Sequence, residues 1–324
     1  MSTTAHSRPL VSILIPSYNS QRWLANCVNS ALAQTYPCKE IILVDDGSTD
    51  SSLALARTFE AKGVIVVTQP NGGQPAALNT AFARSRGDFI QYLDADDMLA
   101  SEKIALQMDR LLAADGRAIA AGAWGRFTTE PSTAEFRHER IWRDLAPVDW
   151  LVESWTGGGM MPPIGWLLPR RIVEAAAPWD VSLRWAPNVD GDFFTRTMLA
   201  ASRCIFVPEA KSYYRTVPGS QSKLRTPRSL EGALRLLFKT GEALLAVEDS
   251  ARTRAAYADN LQRFVHMVYP DHPELVAPAE RRIAELGGSR LKLQAGRTTE
   301  LLARFVGWKA ARLIRRAAAK GHSR

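Results

Sequence analysis

The chain has 324 residues, 41 Lys and Arg against 33 Asp and Glu, 46% hydrophobic residues and a formal net charge of +8. This composition excludes a disordered or collagenous chain, and the length suffices for one large α/β domain with an appendage, or for two domains that each bury a core. Cys27, Cys38 and Cys204 are too scattered for a disulfide framework or a zinc site, the residues before Pro9 lack the apolar stretch of a secretory signal, and no run reaches the roughly 20 apolar residues of a spanning helix. A cytoplasmic protein is expected.

Apolar runs at 11–15, 41–44, 64–67 and 89–93 read as strands, each followed by a segment of helical periodicity; in 21–34 the apolar positions are Trp23, Leu24, Cys27, Val28, Ala31 and Leu32. The intervening helices end near Lys62 and Arg86. Strands alternating with helices of this length predict an α/β fold, a doubly wound and mostly parallel sheet flanked by helices, with ligands at the carboxyl ends of the strands. Beyond it come a helix at 101–112, a strand at 118–123, an irregular stretch to about Gly159, a strand at 164–168, helices at 171–176 and 190–201, and short strands at 204–207 and 212–215. After Pro227 the pattern turns helical, at 230–246, 251–268, 278–286 and 300–319, so two regions are expected, 1–225 and a C-terminal helical extension, 226–324.

The acids mark the chemistry. Asp45 and Asp46 follow one predicted strand, and Asp94, Asp96 and Asp97 follow another, which puts both clusters on one rim of the sheet. Carboxylates gathered there repel one another unless a cation or donor lies between them, and the Asp-x-Asp spacing suits a hard divalent ion shared with substrate phosphates. A lone acidic turn is more often a helix cap, the role open to Asp50.

The run from Val11 to Asn19, the turn Val44-Asp45-Asp46-Gly47-Ser48-Thr49-Asp50, Asn71-Gly72-Gly73 and Leu93-Asp94-Ala95-Asp96-Asp97 occur in that order, each at a strand end. Together they resemble the signature of the family 2 glycosyltransferases with the GT-A fold. The resemblance implies an inverting transfer from a nucleotide-activated sugar, most often a UDP-sugar, with Mg²⁺ or Mn²⁺ as cofactor. It implies that Pro16, Tyr18 and Asp46 hold the nucleobase and ribose, that Asp94 faces the ribose and that Asp96 holds the metal. Physically, the Asp46 carboxylate can accept from a pyrimidine N–H, Gly47 permits close approach, and Gly72 with Gly73 can do the same near the base or ribose. The chain departs from the family at Leu78, where many relatives have Arg, and at Val189, where an acid is usual.

The segment from Pro187 to Arg196 resembles the family's acidic motif, which places the general base that deprotonates the acceptor hydroxyl at Asp190, or alternatively at Asp192. Trp166, after the glycines 157–159, either stacks on an acceptor sugar or belongs to the core. Arg215, Lys223 and Arg225 form part of a basic, Gly- and Ser-containing segment, either a lid over the diphosphate or a solvated linker. Residues 300–324 hold seven bases against Glu300. Their helix is apolar at first, although Lys309, Arg312 and Arg316 intrude on the apolar arc, and it either contacts an anionic membrane surface or packs on its own domain. The two basic segments suggest separate anionic contacts and no nucleic-acid surface. The expected acceptor is a glycan or a lipid-linked glycan, in cell-surface polysaccharide or glycolipid synthesis. A nucleotidyltransferase would want a basic Gly-rich loop after the first strand, where Pro16-Ser17-Tyr18-Asn19-Ser20 stands; a non-catalytic nucleotide-sugar or glycan-binding module is the other alternative.

Overall fold

The computed structural model describes residues 8–217, 223, 225–293 and 297–321. It comprises two compact units, Met1–Leu224 and Arg225–Arg324. In the first, β1 (Val11–Ser17), β2 (Lys39–Asp45), β3 (Val64–Thr68) and β4 (Phe89–Tyr92) pair in parallel in the order β3-β2-β1-β4. Their apolar runs do not alternate with polar residues because β1 and β2 are covered on both faces. Ile13, Ile15 and Leu43 share a core with Cys27, Val28 and Ala31 of α1 (Leu24–Leu32) and with Ile104, Met108 and Leu111 of α4 (Lys103–Leu112). After the short α2 (Ser52–Arg57), α3 (Gln74–Arg84) packs against β1 and β2.

The sheet continues past β4 with mixed polarity. β5 is the two-residue strand Met98–Leu99, β6 spans Ile119–Phe127, β7 Trp166–Pro169 and β8 Cys204–Arg215. β7 runs antiparallel to both β4 and β6, β8 parallel to β6, and β5 antiparallel to β8, giving an eight-stranded order β3-β2-β1-β4-β7-β6-β8-β5. The unit also contains α5 (Pro147–Glu153), α6 (Arg170–Ala176) and α7 (Asp190–Ala200).

Several elements differ from expectation. The two short strands at 204–207 and 212–215 are one strand, β8, which passes through Pro208 at an irregularity: β6 advances from Gly122 to Trp124 while β8 advances from Val207 to Ser212. A Cβ on Gly122 would lie 2.1 Å from the Ala210 carbonyl oxygen, so the missing side chain admits the displaced backbone. α5 lies within the stretch expected to be irregular; Pro147 at its first turn and Asp149 nearby are ordinary start signals there.

The second unit is built of α8 (Pro227–Val247), α9 (Ala251–Val268), α10 (Pro273–Glu285) and α11 (Arg297–Gly321). Thr226 caps α8, and Ser250 with Thr253 forms a capping box on α9. α10 starts at Pro273 and not at Pro278, which it accommodates in its second turn. In α11, Gly307 has φ 79° and interrupts the helix. Beyond it Trp308 stands edge-on to His266 (ring centroids 4.7 Å) and Tyr269 (5.2 Å), Lys309 pairs with Glu280 (2.7 Å), Arg312 donates to the Tyr269 carbonyl (2.8 Å) and Arg316 pairs with Asp271 (2.5 Å). The three bases that spoil the apolar arc are therefore docking groups toward α9 and α10. Leu301, Phe305, Val306, Leu313 and Ile314 are exposed, Phe305 to 81%.

Candidate active site

The parallel register sets Ser17 of β1 beside Asp45 of β2, and β4 ends alongside, so the loops after these strands share one rim. Here the Asp46 main chain donates to the Ser17 carbonyl (2.8 Å). The buried Asp46 carboxylate accepts from Gln69 Nε2 (2.7 Å), Gly72 N (2.9 Å) and Gly73 N (2.7 Å), while Asn71 Nδ2 donates to the Asp46 carbonyl (3.0 Å). Asp46 is thus a clamp that folds the 69–73 loop over the turn. Gly47, at φ 71°, sits where a Cβ would come 2.8 Å from Asn71 N, so the turn requires glycine. Asn19 bridges the first loop to this turn: Ser48 Oγ accepts from its main chain (3.0 Å), and its Oδ1 accepts from Thr49 N (2.8 Å). Pro16 is buried within β1 opposite Val44, whereas Tyr18 stands 51% exposed above the rim.

The second cluster follows β4. Asp94 accepts from Gln74 Nε2 (2.7 Å), and its carboxyl is pushed up to about 7 by burial and by the charges of Asp96 and Asp190. Burial also raises Asp96, and it raises Asp97 well above the usual carboxylate range with help from Asp96 and Asp94. Asp97 Oδ1 accepts from Arg215 N (2.7 Å) while its buried Oδ2 has no partner. Asp190, at the start of α7, is pushed up to about 6, chiefly by burial. The fold therefore brings Asp190 from a distant segment into electrostatic reach of Asp94. Asp192 is oriented differently: it is buried and ion-paired with Arg196 (2.7 Å), which also donates to the Pro178 carbonyl (2.9 Å).

Two of the expected ligand-contacting residues are structural. Arg215 belongs to no lid: it is 2% exposed, its guanidinium donates to the carbonyls of Asp96 (2.8 Å), Thr128 (3.0 Å) and Thr129 (3.1 Å), and it lies between the Trp23 and Phe127 rings. Buried, and with Nε and Nη1 donating to carbonyls, the guanidinium holds the acidic loop in place and does not face a diphosphate. Trp166 is 1% exposed, stacked on Phe194 (5.8 Å) and tilted against Trp150 (5.3 Å), so burial removes the stacking role toward an acceptor. Lys223 is exposed, as is Arg225, which opens the second unit; Gly219 to Ser222 and Leu224 lie outside the described residues. Leu78 and Val189, the departures from the family pattern, are core residues.

Other residues of the site escaped the sequence reading. Gln69 and Gln74 fasten the loop between β3 and α3 to Asp46 and Asp94, and Arg184 lays its stem against Gly73, where a Cβ would meet Arg184 Cβ at 3.1 Å. Tyr214 of β8 has its phenol raised by burial and by the charges of Asp97, Asp94 and Asp190, so it lies within their electrostatic reach. These are ordinary residue types in loops and a strand, and only the tertiary fold gathers them. Among the described residues no group of three or more acidic, His or Cys side chains is spaced to enclose a metal by itself. The mutual repulsion of Asp94, Asp96 and Asp97, with one orphaned oxygen, is the condition that a divalent ion held by one or two carboxylates and by substrate oxygens would relieve.

Residues 12–171 match the family "Glycosyl transferase family 2". Curated relatives include an uncharacterized glycosyltransferase of Haemophilus influenzae, 36% identical over 107 residues (32% of this chain, 43% of the relative). A chondroitin synthase of Escherichia coli is 41% identical over 110 residues (33% and 16%), and a hyaluronan synthase of Pasteurella multocida 36% over 143 residues (39% and 15%). The match thus spans less than half the length of each of these relatives. Among solved structures, residues 1–349 of Staphylococcus aureus TarS superpose with a TM-score of 0.68 at 17% identity, covering 96% of this chain and 92% of that one. The same protein in complex with UDP-GlcNAc gives 0.67. At this identity the likeness shows a shared GT-A type fold.

Proposed function

Through residues 12–171 the chain belongs to glycosyl transferase family 2, and from that premise we propose that it transfers a sugar from a nucleoside diphosphate donor, a UDP-sugar, to an acceptor hydroxyl with inversion at the anomeric carbon. The observation that carries this reading is the convergence of Asp190 on Asp94: a carboxyl at the start of α7, pushed up to about 6, lies within electrostatic reach of the acid that follows β4. Support for the donor comes from the Asp46-clamped loop, whose glycines and exposed Tyr18 border a rim suited to a nucleobase and ribose, and from the solved complex of TarS with UDP-GlcNAc.

In this reading Asp94 takes the ribose and Asp96 holds a divalent cation, Mg²⁺ or Mn²⁺. When bound, the ion neutralises the departing diphosphate. Asp190 removes the acceptor proton as the oxygen attacks from the face opposite the leaving group, a step worth about 10² to 10⁴ in rate. Arg215 keeps the Asp94–Asp97 loop in register and Asp97 remains a buried support. The activity belongs with polysaccharide or teichoic-acid-type synthesis, on a glycan or lipid-linked acceptor. The exposed Leu301, Phe305, Leu313 and Ile314 with nearby Arg315 support a peripheral contact with an anionic membrane surface, and no helix among the described residues is long and apolar enough to cross a membrane.

The deciding experiment pairs calorimetric titration of UDP, with Mn²⁺ or with chelator, and a transfer assay on Asp190→Asn. Metal-dependent UDP binding retained by the variant, with transfer reduced by about 10² or more, is the expected result. Full transfer by Asp190→Asn moves the base elsewhere, and unchanged metal-dependent UDP binding by Asp96→Ala removes the metal assignment.

A further inference from the structure

Arg126 is the one exposed position in the burial pattern of β6. Its guanidinium carbon lies 4.9 Å from the centre of the Tyr214 ring and 5.3 Å from that of Trp124, and these two rings meet edge to face at 5.7 Å. Two aromatic rings therefore hold the side chain, which lowers the entropy cost of using it. No hydrogen bond joins the guanidinium to any of the described residues, which leaves its planar fork of donors open. Glu139, half-buried and within electrostatic reach of the guanidinium, already accepts from Met160 N (2.9 Å), and Trp124 Nε1 donates to the Met160 carbonyl (3.1 Å). The Arg126 platform is thus fastened to the segment that follows the glycines 157–159. Tyr214 connects it to the reaction centre: it faces Arg126 in the β6–β8 register and precedes Arg215, whose main chain donates to Asp97 Oδ1 (2.7 Å), and its phenol is within electrostatic reach of Asp97, Asp94 and Asp190.

A neutral acceptor can be held by uncharged donors as well as by a guanidinium and has no need of a cation beside the acids. An anionic acceptor has that need, since the acids after β4 and the donor diphosphate would otherwise repel it. We propose that Arg126, stacked on Trp124 and Tyr214, is an acceptor-binding residue that receives a carboxylate or phosphate of an anionic glycan beside Asp190, an inference resting on the transferase reading above. Planar, two-pronged recognition of such oxyanions is what arginine offers and lysine does not.

The test measures binding of three probes to the full chain by tryptophan fluorescence: an oligogalacturonate, an oligomer of glycerol phosphate, and a neutral malto-oligosaccharide. One or both anionic probes should bind, less tightly as salt rises, and the neutral one should not; which anionic probe wins separates a uronate from a phosphodiester acceptor. Arg126→Ala should weaken that binding about tenfold or more, and Arg126→Lys should restore it only in part. UDP affinity should stay within about twofold in both variants, since Arg126 is assigned to the acceptor side. Equal binding of the neutral probe, binding of none of the three, or anionic affinity unmoved within about twofold by Arg126→Ala would overturn the proposal. Failure of the wild type to bind UDP would instead remove the donor reading, and the acceptor arms would still report on Arg126.

Discussion

Asp190 and Asp94 carry carboxyls pushed up to about 6 and about 7, Asp190 by burial and Asp94 by burial together with the charges of Asp96 and Asp190. A general base works only when ionised, so kcat/KM should fall as pH drops through about 6 and level off above it, an acid limb that a pH-rate profile of the free enzyme reports. A profile flat down to the ordinary carboxylate range would remove Asp190 from the role. The sign for stability is opposite. A carboxyl whose folded value is raised favours the native state when protonated, so this contribution is present at low pH and is lost as pH rises through about 6 to 7. At this scale the sequence revealed the acids well, because Asp-Gly-Ser and Asp-x-Asp turns at strand ends carry their chemistry in their spacing. It did not separate Asp190 from Asp192: the choice turns on the Arg196 partner that one helical turn supplies to Asp192. Nor did it show that Arg215 and Trp166 face inward, since a basic residue near a linker and a Trp after glycines look the same whether exposed or buried.

Among the elements, the four parallel strands and their crossover helices were legible from apolar periodicity, as was the helical texture after Pro227. The join between β6 and β8 was not, because Pro208 reads as a strand terminator and only the facing glycine reveals the accommodation. Gly122→Ala should therefore be costly. Its Cβ would stand 2.1 Å from the backbone oxygen of Ala210, a group that cannot rotate away. A loss of about 1 to 3 kcal/mol or more in chemical denaturation is expected, from overpacking plus displacement of the strand. A variant as stable as the parent would mean that β8 shifts freely at this point. The face of α11 is a second case: Lys309 and Arg316 could be assigned to packing only once Glu280 and Asp271 were seen opposite them.

For the whole molecule, basic and apolar groups exposed together on α11 predict a surface affinity that depends on lipid charge. The chain should sediment with phosphatidylglycerol vesicles and not with phosphatidylcholine vesicles, more weakly as salt rises, and Phe305→Ser should reduce binding about tenfold. Binding unchanged in Phe305→Ser would locate the contact elsewhere or exclude it. The parallel half of the sheet has a further consequence, which concerns solubility. β3 is its outermost strand, paired on one side only among the described residues, and its sequence Val-Ile-Val-Val-Thr is wholly β-branched and carries no charge, with Ile65 exposed to 39%. Such a margin is a template for pairing with another copy, held in check here by brevity and by the adjacent Lys62-Gly63 turn. Concentrated preparations would lose material first along that margin, and a lysine in place of Ile65 is the smallest change that would close it.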